Sequence, residues 1–412
     1  MMSKLTCPYC FEQFSLSQIE FRCLGTNPAH CAFEPDEKLA RYEKLSGPPI
    51  RGRIFKPDSR MWRTLRWRIT GASGKALRCV CGERTWEVCP FCHHDLPTGF
   101  AEVKTKTIAL IGAKHSGKSN YIAVLIHELF SDNIGAKFDS SIFAWDKDWQ
   151  GEDTPKRYRE HFKKFIYDDN FVIPATVSAR TKTNKPLVYK FDVTRGATRF
   201  GRRGKRKHVS IMAFFDTAGE DLDSIDVMST EAKYIANSDG IVLLLDPLQM
   251  SQVRDRLKDS VTLPPKFTEP IDIVGKTIEL IQRFKGLSGR RTKIDIPLAV
   301  TFSKVDEILR FFDPGSPLKE ASNHDGYFDV SDAEIVSENI KAHLQKWEDG
   351  NLDRACEKHF RNYSYFGISA LGASPDASGR LELGPAPFRV VDPILWILHR
   401  QGIIPGKRSR QR

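Results

Sequence analysis

The sequence predicts an α/β fold with a mostly parallel sheet and helices on both faces, preceded by a small cysteine-rich module. Eight of the nine cysteines fall before residue 93, whereas after residue 97 apolar strand-like runs alternate with helix-like stretches. The predicted strands are Thr107 to Ile111, Leu187 to Val193, Val209 to Phe215, Gly240 to Leu245, Pro297 to Phe302 and Tyr363 to Ile368. The predicted helices are Asn120 to Phe130, Met228 to Ala236, Ile273 to Phe284, Asp332 to Trp347 and Pro393 to Arg400, the last capped by Asp392.

The bulk composition is typical of a soluble globular protein. The 412 residues are 40% hydrophobic and 28% charged. The longest apolar run, around 241–245, is far shorter than the ~20 residues that a membrane helix needs, and the N-terminus lacks an apolar signal region. We therefore expect a cytoplasmic protein with no membrane attachment.

Positive charge is unevenly distributed along the chain. The formal net charge is +11, and the excess lies in 51–68, 199–207 and 407–412. These segments are either solvated loops and a disordered tail or surfaces that attract a polyanion.

The early cysteines have the spacing of metal ligands. Cys-Pro-x-Cys turns aim two thiolates at one ion, and eight thiols suffice for two tetrahedral zinc sites of four cysteines each. The eight candidate ligands are Cys7, Cys10, Cys23, Cys31, Cys79, Cys81, Cys89 and Cys92. Two pairings remain open: a sequential one, and a crossed one in which Cys7 and Cys10 join Cys89 and Cys92. Four cysteine ligands leave no open coordination position on the ion, so such sites are structural. Here the ion would supply folding energy that a sparse core cannot.

Other candidate ligands are not needed for these two sites. His30, His93 and His94 lie near the cysteines, but eight thiols already complete both coordination shells. Cys356 stands alone, and we expect it to be a small buried apolar residue.

The domain division follows from the cysteines and from a break at Leu96-Pro97-Thr98-Gly99. We predict a zinc-ribbon-like module over 1–97 and an α/β domain over 98–405. The α/β domain contains a long insertion over 131–186 and a basic loop over 196–207. Residues 406–412 are predicted as a basic tail.

A phosphate-binding loop is predicted between the first strand and first helix of the α/β domain. The sequence Gly112-Ala113-Lys114-His115-Ser116-Gly117-Lys118-Ser119 fits G-x-x-x-x-G-K-[ST], and Asn120 follows in the helix. The glycines let backbone N–H groups face the phosphates, Lys118 supplies a cation, and the Ser119 hydroxyl ligates Mg²⁺.

A second candidate element for phosphate and magnesium follows the strand Val209 to Phe215. It is Asp216-Thr217-Ala218-Gly219-Glu220. Asp216 would hold Mg²⁺ through water, and the Gly219 N–H would contact the γ-phosphate.

Four motifs in order resemble those of Ras-like GTPases of the TRAFAC class. They are the phosphate loop, Asp216 to Gly219, Ser303-Lys304-Val305-Asp306 and Ser369-Ala370-Leu371, over about 105–402. The resemblance implies that Asp306 accepts hydrogen bonds from guanine, Lys304 packs along the base, and the Ala370 N–H meets the guanine O6. Adenine leaves such a buried carboxylate unpaired, which disfavours an ATPase. Ser303 stands where Asn or Thr is more usual.

The catalytic residues implied by the resemblance depart from the common pattern. Thr176 is the favoured switch threonine and Mg²⁺ ligand, because Ile173-Pro174-Ala175-Thr176-Val177 resembles Arf-like members; Thr181 and Thr183 are alternatives. Glu220 replaces the usual water-positioning Gln and either acts as a base or repels the γ-phosphate. Lys114 replaces a small residue. We therefore expect slow GTP hydrolysis, raised by a partner or by self-association.

Two functions follow as hypotheses. The first is a GTP-binding regulatory protein that uses GTP/GDP, Mg²⁺ and two Zn²⁺ ions and recruits an unknown effector. The likeness to double-GTPase proteins of bacterial conflict systems implies an antiviral defence role. The alternative is a nucleic-acid-binding zinc protein for which GTP is a structural ligand or assembly trigger. Its candidate surface, which could equally pack a core, interleaves arginines with tryptophans: Arg60, Trp62, Arg63, Arg66, Trp67 and Arg68.

Overall fold

The computed structural model describes most of the chain. The described residues are 4–25, 31–56, 77–97, 99–100, 106–113, 115–131, 134–146, 149–174, 185–199, 202–215, 229–259, 263–265, 268–287, 292–348 and 350–408. Several predicted residues lie outside them: His30, the Arg60 to Arg68 segment, Lys114, Thr176, Thr181, Thr183, Asp216, Gly219 and Glu220.

The cysteine-rich module is built of very short elements. They are β1 (Leu5–Thr6), β2 (Gln13–Phe14), β3 (Glu20–Cys23), β4 (Phe33–Pro35), α1 (Glu37–Glu43), β5 (Ile50–Gly52), β6 (Ile54–Phe55) and β7 (Thr85–Val88). Strand β3 lies between β6 and β7 and is antiparallel to both. Strands this short bury little apolar surface, so the module needs another source of stability.

The α/β domain begins with the strand and helix that flank the phosphate loop. Its elements are β8 (Ile108–Gly112), α2 (Lys118–Ser131), α3 (Ile134–Lys137), β9 (Ser140–Ala144), α4 (Thr154–Tyr158), a π-helical segment (Arg159–Asp168), β10 (Leu187–Arg199), β11 (Arg202–Phe214), α5 (Thr230–Ala236), β12 (Gly240–Leu245), α6 (Ser251–Leu257), α7 (Pro270–Lys285), β13 (Leu298–Phe302), α8 (Val305–Ile308), β14 (Phe328–Asp329), α9 (Val330–Glu348), α10 (Asn351–His359), β15 (Tyr363–Gly367), α11 (Asp392–Arg400) and β16 (Gly406–Lys407). Short 3-10 turns cover Leu16–Gln18, Pro247–Gln249, Leu309–Phe311 and Pro317–Lys319.

A four-stranded parallel sheet in the order β15-β13-β12-β8 forms the centre. Alternate side chains of each strand point to opposite sides of the sheet, and helices cover both sides. In β8, Ala109 and Ile111 pack into the core beneath α5, α7, α9 and α10. Ile108 and Leu110 pack into the core beneath α2 and α11. The predicted α/β architecture, with helices on both faces, is confirmed.

A second, antiparallel sheet in the order β11-β10-β9 lies beside the parallel one. Strands β10 and β11 pair from Leu187↔Phe214 to Arg199↔Arg202. The basic loop predicted over 196–207 is therefore wrong for the described residues, because 196–199 belong to β10 and 202–207 belong to β11. The 131–186 insertion contributes β9, which pairs with β10 at the edge of this sheet.

The module packs directly on this antiparallel sheet. Val188 of β10 and Ile211 of β11 belong to the same apolar core as Phe14 and Phe100. Polar contacts extend the interface, since Lys185 Nζ lies 3.0 Å from a Glu43 carboxylate oxygen. The two parts thus share buried surface.

Two further predictions at the C-terminal end need correction. Helix α11 begins at Asp392, which does not cap it; the Ser322 hydroxyl donates to this carboxylate (2.7 Å) and His324 Nε2 lies 3.0 Å from it. Residues 406–407 do not belong to a tail, because β16 pairs parallel with β14. Among the described helices, none combines the length and apolar character needed to cross a bilayer.

Candidate nucleotide site and zinc centres

The described part of the phosphate loop is shaped by two glycines. Gly112 ends β8, and a Cβ there would lie 2.5 Å from Ser116 Oγ and 3.0 Å from the Leu244 carbonyl oxygen. Gly117 has a φ of +82°, in the left-handed region that favours glycine. His115 is also left-handed, with a φ of 64°. The backbone therefore turns sharply between β8 and α2, as a loop that wraps phosphates requires.

Polar groups are concentrated at the start of α2. Lys118, the first residue of the helix, is buried, and so is Ser116. Ser116 Oγ has no hydrogen-bond partner among the described residues, which is costly unless a ligand supplies one. Asn120 Oδ1 accepts a hydrogen bond from the Ile173 N–H (3.0 Å). Asn120 thus links α2 to the segment that leads towards Thr176.

Lys304 joins the phosphate loop to the end of β12. Its Nζ lies 2.6 Å from Asp246 Oδ2 and donates to the His115 carbonyl (3.3 Å). Asp246 also accepts a hydrogen bond from the Leu248 N–H (2.9 Å) through Oδ1. Sequence reasoning missed Asp246. The available signal was an acidic residue directly after a fully buried strand, at the edge where the phosphate loop lies.

Two loops at the ends of β13 and β15 are fixed by short hydrogen bonds. The Ser303 N–H and hydroxyl both donate to the Leu245 carbonyl, at 2.9 and 3.2 Å. The Val305 N–H donates to the Ile368 carbonyl (3.0 Å), and the Ser369 hydroxyl accepts from the Gly372 N–H (2.9 Å). The hydroxyl at position 303 therefore has a local structural role.

Asp306 presents an unpaired buried carboxylate oxygen between these loops. Its Oδ1 is buried and, within the described residues, has no hydrogen-bond partner. Burial raises the pKa of Asp306 above its ordinary value, and a hydrogen bond with Ser369 only partly offsets this. A buried carboxylate with an unpaired oxygen fits a ligand that brings two N–H donors.

The structure brings the described members of the predicted nucleotide set to one edge of the parallel sheet. The end of β8, the loop after it and the start of α2 hold Gly112, Ala113, His115, Ser116, Gly117, Lys118, Ser119 and Asn120. The loops after β13 and β15 and the start of α8 hold Ser303, Lys304, Asp306, Ser369, Ala370 and Leu371. The C-terminal ends of parallel strands meet at this edge, so all of these residues lie at the same end of the sheet.

The eight cysteines form two quartets with the crossed pairing. Cys7, Cys10, Cys89 and Cys92 form the first quartet, and Cys23, Cys31, Cys79 and Cys81 form the second. In each quartet the sulfurs lie within 4.8 Å of one another. All eight thiols except that of Cys81 belong to buried residues.

The sulfur geometry fits zinc. Cys7 and Cys92 sulfurs are 3.9 Å apart, and those of Cys10 and Cys89 are 3.7 Å apart. In the second quartet, the Cys23–Cys81 and Cys31–Cys79 sulfur pairs are each 3.6 Å apart. Four thiolates about 2.3 Å from one tetrahedral ion would be about 3.8 Å from each other.

The nearby histidines have other contacts. His93 Nδ1 lies 2.7 Å from Asp36 and its Nε2 lies 3.0 Å from Glu20, while Arg22 donates to Asp36 (2.8 Å). Burial opposes ionisation of Asp36, yet hydrogen bonds from His93 and Arg22 lower its pKa to about 2. The His94 ring stacks on Tyr9, with ring centroids 3.8 Å apart. Neither histidine belongs to a described quartet.

Comparison with known proteins gives one family and one curated relative. The family model described as "Double-GTPase 2" matches residues 106–369. A protein of Mycolicibacterium smegmatis, "Putative ESX-1 scaffolding and assembly protein SaeC", is 29% identical over 343 residues, which are 77% of this chain and 80% of the relative.

Two solved GTPase structures are similar at low identity. The Arl6 BBS3 small GTPase of Trypanosoma brucei, bound to GppNp, is 12% identical with a TM-score of 0.28, covering 73% of this chain and 98% of its own. The SRb-GTP/SRX complex of the Chaetomium thermophilum signal recognition particle receptor is 12% identical with a TM-score of 0.25, covering 67% and 95%. Scores this low carry no inference about this chain.

Proposed function

The chain belongs to the Double-GTPase 2 family, and we propose that it is a slow guanine-nucleotide switch that recruits a protein partner in its Mg²⁺-GTP state. The observation that carries this proposal is Asp306, a buried carboxylate whose Oδ1 has no partner within the described residues. Guanine carries the N1–H and N2–H donors that would satisfy it, and adenine does not. The hydrogen bonds of the loops at Ser303 and Ser369 would preorganise that acceptor for nucleotide binding.

The residues proposed for the phosphates and magnesium follow the same logic. Lys118 and the backbone of the phosphate loop would hold the phosphates, and Ser119 would ligate Mg²⁺. Asp216 and Thr176 are proposed as the remaining magnesium contacts, and Gly219 as the γ-phosphate contact. Magnesium would supply charge neutralisation for phosphoryl transfer when bound.

Slow turnover is proposed from the residue after Gly219. A Gln there orients the attacking water in many GTPases, whereas this chain has Glu220. A carboxylate beside the γ-phosphate adds repulsion, so hydrolysis needs a partner or a second copy of the chain. A fast rate for the isolated monomer in a phosphate-release assay would contradict this proposal.

Partner recruitment is supported by the name of the curated relative, which refers to scaffolding and assembly. We propose that the GTP state exposes a surface for such a partner. Capture from lysate with a non-hydrolysable GTP analogue, compared with GDP, tests this directly. The same proteins captured in both states, or by a Lys118→Ala variant, would contradict it.

The bacterial defence role, the TRAFAC assignment and a cytoplasmic location stay predictions. The domain division at residue 97 is also a proposal; limited proteolysis with chelator present tests it by the position of the first cut.

Nucleic-acid binding is a second candidate, favoured by the ribbon of β10 and β11. Between 195 and 207 the ribbon carries seven Lys or Arg residues and no acidic residue. The register places Arg195 opposite Arg206 and Arg199 opposite Arg202. A segment rich in Lys and Arg and free of acidic residues attracts a polyanion. A two-stranded ribbon also fits the major groove of duplex DNA.

Gel shifts at two salt concentrations test the second candidate. Binding that weakens steeply with salt, survives Lys118→Ala and is lost when Arg202, Arg203, Lys205 and Arg206 are changed to Ser would support it. Absence of any shift at low salt would exclude this candidate.

A further inference from the structure

The Cys7–Cys10 turn and the Cys89–Cys92 turn share one backbone pattern. The Phe11 N–H donates to the Cys7 carbonyl (3.1 Å), just as the His93 N–H donates to the Cys89 carbonyl (3.0 Å). Phe11 and His93 both have left-handed backbones, with φ of 57° and 55°. The turn itself thus imposes the left-handed conformation on the residue after the second cysteine.

Phe11 is an expensive choice for that position. A left-handed backbone is unfavourable for a residue with a Cβ, and glycine avoids that cost. The Phe11 side chain is fully buried, yet it packs with Ala213 in a core of the α/β domain and not in the core that the rest of the module shares with β10 and β11. Strained backbone conformations cluster at functional sites, so the left-handed backbone of Phe11 indicates a role beyond folding.

The Phe11 ring contacts residues that precede and follow the segment 216–228 in the sequence. Its centroid lies 5.7 Å from that of Phe215, which immediately precedes Asp216 in the sequence. It lies 4.6 Å from the ring of Tyr234, in the helix α5 that follows the segment. Asn237 Nδ2 donates to the Phe11 carbonyl (3.0 Å).

An ion pair strengthens this junction. Glu12 and Lys233 approach to 2.8 Å, so the turn and α5 are joined by charge as well as by ring packing.

Tyr234 connects the strand before the phosphate loop with the strand before Asp216. Its hydroxyl accepts a hydrogen bond from the Leu110 N–H of β8 (2.8 Å). The same hydroxyl is within donating distance of the Ala213 carbonyl in β11 (3.1 Å) and the Ile108 carbonyl in β8 (3.2 Å). A shift of the Tyr234 ring would therefore alter hydrogen bonds to both β8 and β11.

We propose that the turn from Cys7 to Glu12 is a positioning element for the magnesium and γ-phosphate site, acting through Phe11 on Phe215 and Tyr234. This inference rests on the proposed GTP switch. By reciprocity, Mg²⁺-GTP binding must stabilise the docked turn as much as the docked turn favours Mg²⁺-GTP. The first zinc quartet thereby becomes part of nucleotide discrimination, whereas in the described part of the chain the second quartet packs in a separate cluster.

The first test uses the zinc-loaded full chain and the variant Phe11→Leu. Fluorescent GDP and a fluorescent non-hydrolysable GTP analogue are titrated with Mg²⁺ and with EDTA, with zinc content measured for each preparation. The expected result is about a tenfold loss in the Mg²⁺-dependent gain in GTP affinity, with GDP affinity in EDTA unchanged. Phe14→Leu is the matched control, because Phe14 is also a buried ring at the interface of the module with β10 and β11, but it belongs to a different cluster from Phe215 and Tyr234.

A second measurement needs no variant. Hydrogen exchange of the wild-type amides at Phe11 and Glu12 should slow when the GTP analogue replaces GDP, while the amides of the second quartet stay unchanged. Equal exchange in both states, or equal losses in Phe11→Leu and Phe14→Leu, would overturn the inference and leave GTP binding intact. If the wild type bound neither nucleotide, both the proposed function and this inference would fall.

Discussion

Lys304 Nζ lies 2.6 Å from the carboxylate of Asp246, whose side chain is 4% exposed, and also donates to the His115 carbonyl of the phosphate loop. The pair fixes a lysine that we propose packs along the guanine ring. Asp246→Asn should keep the hydrogen bond from the Leu248 N–H but release Lys304. Because Lys304 is itself about a third exposed, we expect a cost of about 1 kcal/mol, or roughly fivefold weaker GDP binding by calorimetry.

A matched control for this prediction lies at the other end of the same sheet. Lys106 Nζ and Asp239 form a pair at 2.7 Å with similar lysine exposure. Asp239→Asn should leave GDP affinity unchanged. Equal weakening by both variants would show that the effect is general destabilisation.

Asp306→Asn should change which base the protein prefers. The substitution replaces an acceptor by an amide that presents a donor, so guanine loses its pairing and xanthine, with an oxo group at C2, gains one. We expect at least a hundredfold loss of GTP affinity and a preference for xanthosine triphosphate in competition assays. Unchanged selectivity would remove Asp306 from the base site.

GTP binding should weaken in acid because it requires ionised Asp306. Burial raises the pKa of Asp306, so protonation occurs at a higher pH than for an ordinary aspartate. Below that raised pKa, the dissociation constant should increase about tenfold per pH unit. The folded protein also binds this proton more tightly than the unfolded chain, so the contribution of Asp306 to stability falls as pH rises through the window.

Fluorescence titrations of the wild type between pH 4.5 and 8 measure this dependence. The Asp306→Asn variant serves as the reference, and its weak binding should be flat over the same range. A wild-type profile equally flat would contradict the assignment.

Zinc removal should affect the two quartets differently. Cys81 is the more accessible ligand, so a chelator should remove one of two equivalents of zinc first. Cys10→Ser should lower the melting temperature on the order of 10 °C, because the first quartet is packed against the α/β domain. Cys81→Ser should lower it less. Metal analysis and calorimetry of both variants check the order.

Tyr234→Phe should destabilise the fold. Removal of the hydroxyl leaves the buried Leu110 N–H without its partner, at a cost of about 1–3 kcal/mol. Tyr363→Phe is the control, because its hydroxyl binds the partly exposed Asp353 (3.1 Å). Denaturant unfolding of both variants should give the larger loss for Tyr234→Phe; equal losses would refute the bridging role.

Local signals in the sequence predicted the parallel strands closely. Strand β12 has the predicted bounds, Gly240 to Leu245, because a fully buried strand is one continuous apolar run. The turn between β8 and α2 was equally predictable, since few residues can substitute for Gly112 and Gly117 there.

Features that depend on tertiary contact were not predictable in this way. Residues 196–199 and 202–207 have the composition of a loop, yet the pairing of β10 with β11 keeps them in strands. The choice between the two zinc pairings also required the fold, because both satisfy the same spacing. Asp246 and Phe11 acquire their roles only from Lys304 and Tyr234, which are distant in sequence.

The crossed zinc pairing has a consequence for how the chain is made. Cys7 and Cys10 leave the ribosome before their co-ligands Cys89 and Cys92 have been translated. At ordinary elongation rates the nascent N-terminus therefore waits roughly 10 s with two open thiolates, and Phe11 cannot be locked in its turn during that time. In zinc-poor cells, synthesis should thus yield chains in which Cys7 and Cys10 are not joined to Cys89 and Cys92. Proteases should cleave the N-terminal segment of such chains readily.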